Sequence, residues 1–312
     1  MGCTTEQAAR AAASSRPNST EALPDSVAAQ GKRIPPLRLR DGTIVRYPAV
    51  MGILNITPDS FSDGGRFLDP MRACEHALQM EAEGAAIVDI GGESTRPGAL
   101  EVSAAEELCR VMPVIEALQG KLRVPISIDT RKAVVARSAL EAGAAIVNDV
   151  SGLTYDASML PLIARHRAAV VVMHSRAAVD IKNHDGRYRD VVASVVSFLQ
   201  RQASLAERGG VARSRIIVDP GLGFAKAARH NLEILVGFKR LAALGYPVLV
   251  GASRKRFVRR STGGSDEEVR FGNAAVHAYA IAAGASIVRV HEVAAAVAVA
   301  RMVAAIAACG RA

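Results

Sequence analysis

Polar and ionisable residues follow eight short apolar runs of this 312-residue chain, one group after each run. The groups are Asn55; Glu93, Ser94, Thr95 and Arg96; Asp129 and Arg131; Asn148 and Asp149; His174; Asp219; Ser253, Arg254 and Lys255; and Arg289 with His291. Singly, each reads equally well as a helix cap or a solvated loop residue. Jointly they read as an active site, because a structural scaffold has no reason to gather so many charges on one rim. Asn55, Arg289 and His291 combine Arg and His donors with an amide oxygen, which suits a phosphate accompanied by a hard cation such as Mg²⁺. Asp129, Asn148, Asp219 and Lys255 supply acceptors and donors around a ring. That second set fits a flat heterocycle edged with amide and amino groups.

The elements that must position these groups are legible as a rhythm. The runs cover 50–54, 86–90, 125–128, 145–147, 169–173, 216–218, 248–250 and 287–290. They are short and rich in Val and Ile, as strands buried on both faces are. Between them lie segments of helical period, including 71–83, 104–118, 132–142 and 191–208. Ser103 with Glu106 forms a capping box, and Gly84, Gly143, Gly209, Gly245 and Gly284 stand where left-handed helix caps are expected. Eight strand–helix units predict an α/β fold of the closed (β/α)8 TIM barrel type. A doubly wound open sheet is the rival, but Asn55-Ile56-Thr57-Pro58 follows the first strand where a glycine-rich phosphate turn belongs. In a closed barrel the first and eighth strands are neighbours, which brings Asn55 beside Arg289 and His291.

Composition narrows the class. Apolar residues make up 50 % and charged residues 22 %, the balance of a soluble globular enzyme. The formal charge is +9, yet only 7 of the 39 basic residues are Lys and no dense basic run occurs. There is no Trp and there are only 5 Tyr and 7 Phe, too few for a base-stacking platform, so nucleic acid is not expected as a partner. Four scattered cysteines without a C-x-x-C pair argue against zinc modules and disulfides and fit a reducing cytoplasm. Residues 1–36 read as a flexible tail, and 37–312 as one barrel domain. Glu6 breaks the myristoylation pattern, and no segment has the core of a signal peptide or a membrane span. The last helical segment, 293–308, is apolar around most of its circumference. It predicts a homodimer through the C-terminal helices.

The segments themselves resemble those of the dihydropteroate synthase family. Residues 51–65, with Asn55-Ile56-Thr57-Pro58-Asp59-Ser60-Phe61-Ser62-Asp63-Gly64-Gly65, are similar to its first signature. Asp89-Ile90-Gly91-Gly92-Glu93-Ser94-Thr95-Arg96-Pro97-Gly98 is similar to the second. Ser127-Ile128-Asp129-Thr130, Asn148-Asp149-Val150-Ser151-Gly152, Met173-His174, 219–224, Ser253-Arg254-Lys255 and Arg289-Val290-His291 continue the resemblance in the family's order. It covers residues 45 to 300 or so and omits the tail. The resemblance implies condensation of (7,8-dihydropterin-6-yl)methyl diphosphate with 4-aminobenzoate, releasing diphosphate and forming dihydropteroate for folate synthesis. It implies that Asp129, Asn148, Asp219, Phe224 and Lys255 hold the pterin. Asn55, Arg289 and His291 then hold diphosphate, with Asn55 as the protein's ligand to Mg²⁺. Thr95, Arg96 and Pro97, with Phe61, close over the aminobenzoate, and catalysis falls to Asp129, Lys255, Thr95 and Arg96; Arg256, where the family often has Ser, is expected from its own charge to meet the aminobenzoate carboxylate. Sulfonamide drugs are then expected to target the chain.

The chain departs from the family's pattern at Ala225, where a Gly is usual, at 175–179, at Glu292 and at Arg256. These positions bear on the shape of the pocket and the sulfonamide response. Two other readings compete. A pterin-dependent methyltransferase shares the Asp and Asn contacts but needs neither the Thr95-Arg96 loop nor the diphosphate set. A pterin-binding paralogue without catalysis is the second, suggested by Ala225 and the altered segment at 175–180.

Overall fold

The computed structural model describes residues 34–57, 70–94, 100–175 and 188–309. Its strands are β1 (Leu37–Arg38), β2 (Ile44–Val45), β3 (Ala49–Asn55), β4 (Ile87–Gly91), β5 (Ile126–Asp129), β6 (Ile146–Asp149), β7 (Ala169–Met173), β8 (Ile216–Asp219), β9 (Leu249–Val250) and β10 (Ile287–Val290). The helices are α1 (Pro70–Ala82), α2 (Ala104–Leu118), α3 (Ala133–Glu141), α4 (Met159–His166), α5 (Val191–Arg208), α6 (Ala228–Val236), α7 (Phe238–Ala242), α8 (Arg256–Thr262), α9 (Asp266–Ala282) and α10 (Val293–Cys309). Eight strands pair in parallel in the order β8-β7-β6-β5-β4-β3-β10-β9. A parallel bridge from Val218 to Val248 joins the two ends of that order. This is the expected (β/α)8 barrel.

Alternation along the strands divides the core in two. Outward residues such as Val50, Val88, Val147, Val170, Val218 and Val288 pack beneath the helices. Inward residues, among them Met51, Ile87, Ile146, Ala169, Ile217, Leu249 and Ile287, form a second cluster with Leu37, Leu39, Val45 and Tyr47. The β1–β2 ribbon, absent from the sequence reading, thus plugs the amino-terminal end of the barrel. The tail expected over 1–36 lies outside the described residues except for 34–36, and Leu37, next in the chain, is wholly buried.

The same alternation builds the site. Two residues beyond each inward isoleucine the side chain becomes polar: Asp89 after Ile87, Asn148 after Ile146, Asp219 after Ile217, Arg289 after Ile287. Each strand therefore presents an apolar floor and a polar mouth on one face, about 6.6 Å apart.

Helix ends follow the glycine expectation with one correction. Gly84, Gly143, Gly245 and Gly284 take positive φ of 100, 106, 75 and 110°. Gly209 does not; its φ is −77°. The left-handed residue after α5 is Gly210, at φ 95°, because the wrapping bond forms one residue later, from the Val211 amide to the Ala206 carbonyl at 3.0 Å. No helix among the described residues is long and apolar enough to cross a membrane.

Candidate active site

At the carboxyl-terminal mouth, Arg289 lies between two carboxylates. Its Nε donates to Asp89 Oδ2 at 2.6 Å and one terminal nitrogen donates to Asp129 Oδ2 at 2.6 Å. Asn148 Nδ2 donates to the same Asp89 oxygen at 3.0 Å. Asp89 is fully buried, and its Oδ1 has no hydrogen-bond partner among the described residues. Sequence reasoning placed Arg289 with a diphosphate and Asp129 with a heterocycle, as two separate sets. The structure joins them in one buried ion-pair cluster. The reason is register: Arg289 lies in β10 beside β3, and its side chain reaches across the barrel interior to strands β4 and β5.

The second part of the mouth is the turn after β8. Asp219 Oδ1 accepts the Gly221 amide at 2.7 Å. Lys255, just before α8, donates to the Leu222 carbonyl, and its ammonium stands 4.4 Å from the Phe224 ring centroid. A side chain on Gly223, at φ 82°, would meet the Lys255 stem at 2.8 Å, so glycine is required for this approach. Lys226 is buried as well, with its ammonium held by the carbonyls of His174, Gly221 and Phe224.

Burial sets the electrostatics. It raises Asp129 to about 7, opposed by Arg289 and reinforced by Asp89, Glu107 and Asp149. Burial also raises Asp219, opposed by Lys255, the Gly221 amide, Lys226 and Arg289. It lowers Lys255 to about 8, with Asp219 pulling the other way. Burial opposes the charge on each of these groups, and the opposite charge beside it works the other way.

Near the expected diphosphate set, His291 Nδ1 is 3.0 Å from Ser253 Oγ, which also accepts the His291 amide at 3.3 Å. Ser253 was legible as a strand-end residue but carried no role. Asn55 ends β3, half-buried. Among the described residues no group of three His, Cys, Asp or Glu could hold a metal. One neutral amide oxygen cannot cage a cation, but it fits Mg²⁺, which keeps its waters and takes most other ligands from a substrate's phosphates.

Other strand-end residues serve the scaffold. Asp149 accepts the Ser151 amide and hydroxyl and the Leu153 amide, at 2.8, 2.6 and 3.0 Å, which fixes its turn. Arg131 pairs with Glu93 at 3.3 Å and Glu101 at 2.8 Å and lies 4.2 Å from the Tyr155 ring centroid. The His174 ring packs edge-on against Phe198, centroids 5.0 Å apart. Arg256 is exposed at the first turn of α8. Phe61, Thr95, Arg96 and Pro97 lie outside the described residues.

The chain matches the family described as pterin binding enzyme over residues 51–291. It is 48 % identical to a dihydropteroate synthase of Synechocystis, over 78 % of this chain and 85 % of that protein. A Xanthomonas albilineans dihydropteroate synthase solved with 4-aminobenzoic acid superposes with a TM-score of 0.81, at 43 % identity, covering 87 % of this chain and 98 % of the other. A structure from the same organism in complex with 7,8-dihydropteroate superposes with a TM-score of 0.79, at 41 % identity, with the same coverage.

Proposed function

Because this chain belongs to the pterin-binding enzyme family and, within it, to the dihydropteroate synthases, transferases by their reaction, we propose the following division of labour at its barrel mouth. Asp219 accepts paired hydrogen bonds from the amide and amino edge of the pterin. The Gly221 amide occupies one of its lone pairs, and the others remain for the substrate. Asn148 meets a second edge of the ring. Lys255 donates to a ring acceptor, and Phe224 packs against the heterocycle.

In the condensation the bond from the pterin methylene carbon to the diphosphate oxygen breaks, and its electron pair leaves with diphosphate. The lone pair of the 4-aminobenzoate nitrogen forms the new C–N bond, and the surplus proton goes to solvent. The methylene is electron-poor as the bond breaks. Asp129, as carboxylate, stabilises that charge in a site preorganised by Arg289 and Asp89. Two of the five guanidinium N–H donors of Arg289 are engaged by these acids, and the rest serve the leaving diphosphate with His291 and Asn55. Asn55 would hold Mg²⁺, whose chemistry when bound would be to neutralise charge on the leaving group. Thr95, Arg96, Pro97 and Phe61 enclose the aminobenzoate, and Arg256 meets its carboxylate. Sulfonamides, which share the aryl-amine shape, compete for that subsite.

The observation that carries this reading is the buried Asp89–Arg289–Asp129 cluster beside Asn148, electrostatically coupled to Asp219 and Lys255. We propose further that the enzyme acts in the cytoplasm as a homodimer through its C-terminal helices, α9 and α10. Growth rescue of a host lacking dihydropteroate synthase tests the activity: the chain restores growth without supplied folate products, and failure by a soluble, expressed chain contradicts it.

A further inference from the structure

Lys226 is 3 % exposed, and the reaction outlined above makes no use of it. Its Nζ donates to the Gly221 carbonyl at 2.9 Å, the Phe224 carbonyl at 3.0 Å and the His174 carbonyl at 3.2 Å. An ammonium has three N–H donors and all three are engaged; a neutral amine would leave one carbonyl unserved. The acceptors come from two segments, the end of β7 and the turn that carries Asp219 and Phe224. The last ladder bond between those segments is His174 amide to Asp219 carbonyl, 2.8 Å. Lys226 extends that pairing beyond the strands.

The turn is contorted in a way that requires such a centre. Gly221, Gly223 and Ala225 take φ of 65, 82 and 46°. A Cβ on Gly221 would overlap the His174 carbonyl oxygen. The turn thus gathers three carbonyl oxygens around one point, an arrangement that repels itself unless a cation sits there. Burial pushes the Lys226 ammonium down to about 7, Asp219 pulls it up, and Lys255 pushes it down again.

We propose that Lys226 is a positioning residue for the pterin: by drawing the His174, Gly221 and Phe224 carbonyls onto its ammonium, it sets Asp219 and Phe224 in register with Lys255. This rests on the assignment of the pterin to Asp219.

The test uses the full chain, with calorimetry on pterin-6-carboxylate as probe and steady-state kinetics for both substrates. Lys226→Met is expected to raise the pterin Kd about tenfold or more, with the 4-aminobenzoate KM within about twofold of wild type. Lys226→Gln, which returns two N–H donors, recovers part of the loss. Because Lys226 acts through Asp219 and Phe224, the double variant Lys226→Met/Asp219→Asn loses less pterin affinity than the two single losses combined. Additive losses, equal losses for both substrates, or an unchanged pterin Kd in a folded Lys226→Met overturn the proposal. If Lys226→Met does not fold, Lys226→Gln carries the test under the same criteria. Asp219→Asn with undiminished affinity contradicts the pterin assignment itself; a loss there with none at Lys226 contradicts only the role of Lys226.

Discussion

Arg289 touches two acids at once, so its truncation cannot act on diphosphate alone. Arg289→Ala leaves Asp89 and Asp129 buried without their counter-charge, a loss of about 3–5 kcal/mol of stability. Affinity falls both for the diphosphate substrate and for a pterin without diphosphate. Calorimetry with both ligands checks this, and a loss confined to the diphosphate ligand would contradict it. Asp219→Asn trades an acceptor for a donor against the pterin edge, at about 1–3 kcal/mol of binding. Protonation gives a third prediction. Asp129 is raised to about 7, so it is neutral below that pH and anionic above it. Lys255, lowered to about 8, is cationic below that pH. Turnover needs the carboxylate and the ammonium, so kcat/KM rises through pH 7 and falls beyond pH 8. A flat profile from pH 6 to 9 is the contrary result. At this scale the sequence revealed Asp129, Asn148, Asp219, Lys255 and Arg289, because each stands at or near the end of an apolar run. It gave no role to Asp89, the penultimate residue of the run 86–90, because the sequence does not show which strand-end side chains meet across the barrel. It hid the contact between Arg289 and Asp129 for the same reason: they are 160 positions apart.

Beside the mouth, α2 and the start of α3 are locked by Lys132, whose ammonium is 2.6 Å from Glu107 and 2.7 Å from Glu93. Glu107 is wholly buried on α2. Removing its partner with Lys132→Met leaves an uncompensated charge, and unfolding in urea should register a loss of about 3–5 kcal/mol. Burial opposes the charge on Glu93, but the Lys132 hydrogen bond and charge, with Arg131, outweigh it and lower its pKa. Burial likewise opposes the charge on Lys132, and Glu107 and Glu93 outweigh it and raise its pKa. The Glu93 contribution is present above the unfolded value near 4.3 and is lost as pH falls through the lowered one. The Lys132 contribution is present below about 10.4 and is lost as pH rises through the raised one. Thermal melts across this range should show both limbs in wild type; Lys132→Met should lose the alkaline limb and keep only the part of the acid limb that Arg131 sustains. Elements of regular period were legible in the sequence: 104–118 and 191–208 are α2 and α5 with their bounds intact, while 71–83 and 132–142 differ by one residue at each end from α1 and α3. The β1–β2 ribbon was not, since strands of two residues carry no periodic signal.

The barrel leaves Phe271 and Tyr279 exposed on α9 and Met302 and Ile306 on α10, two helices packed against each other. Four large apolar side chains on adjoining helices fit the homodimer proposed above. Phe271→Glu with Ile306→Glu should shift sedimentation from dimer to monomer while the fold persists; a wild-type monomer at micromolar concentration is the opposing result. The apolar character of α10 was plain in the sequence, but which of its residues the barrel covers was not. Val293, Ala296, Val297, Ala300 and Ala304 turn inward, and only the rest are free to meet a partner. The central claim concerns one reaction at one mouth, and product stoichiometry tests it most directly. Purified chain is incubated with (7,8-dihydropterin-6-yl)methyl diphosphate, 4-aminobenzoate and Mg²⁺, and dihydropteroate and diphosphate are quantified over time. One diphosphate is expected for each dihydropteroate, with both falling together in Asp219→Asn when the pterin substrate is below saturation. Diphosphate released without dihydropteroate, or no product from folded wild-type chain, would contradict it.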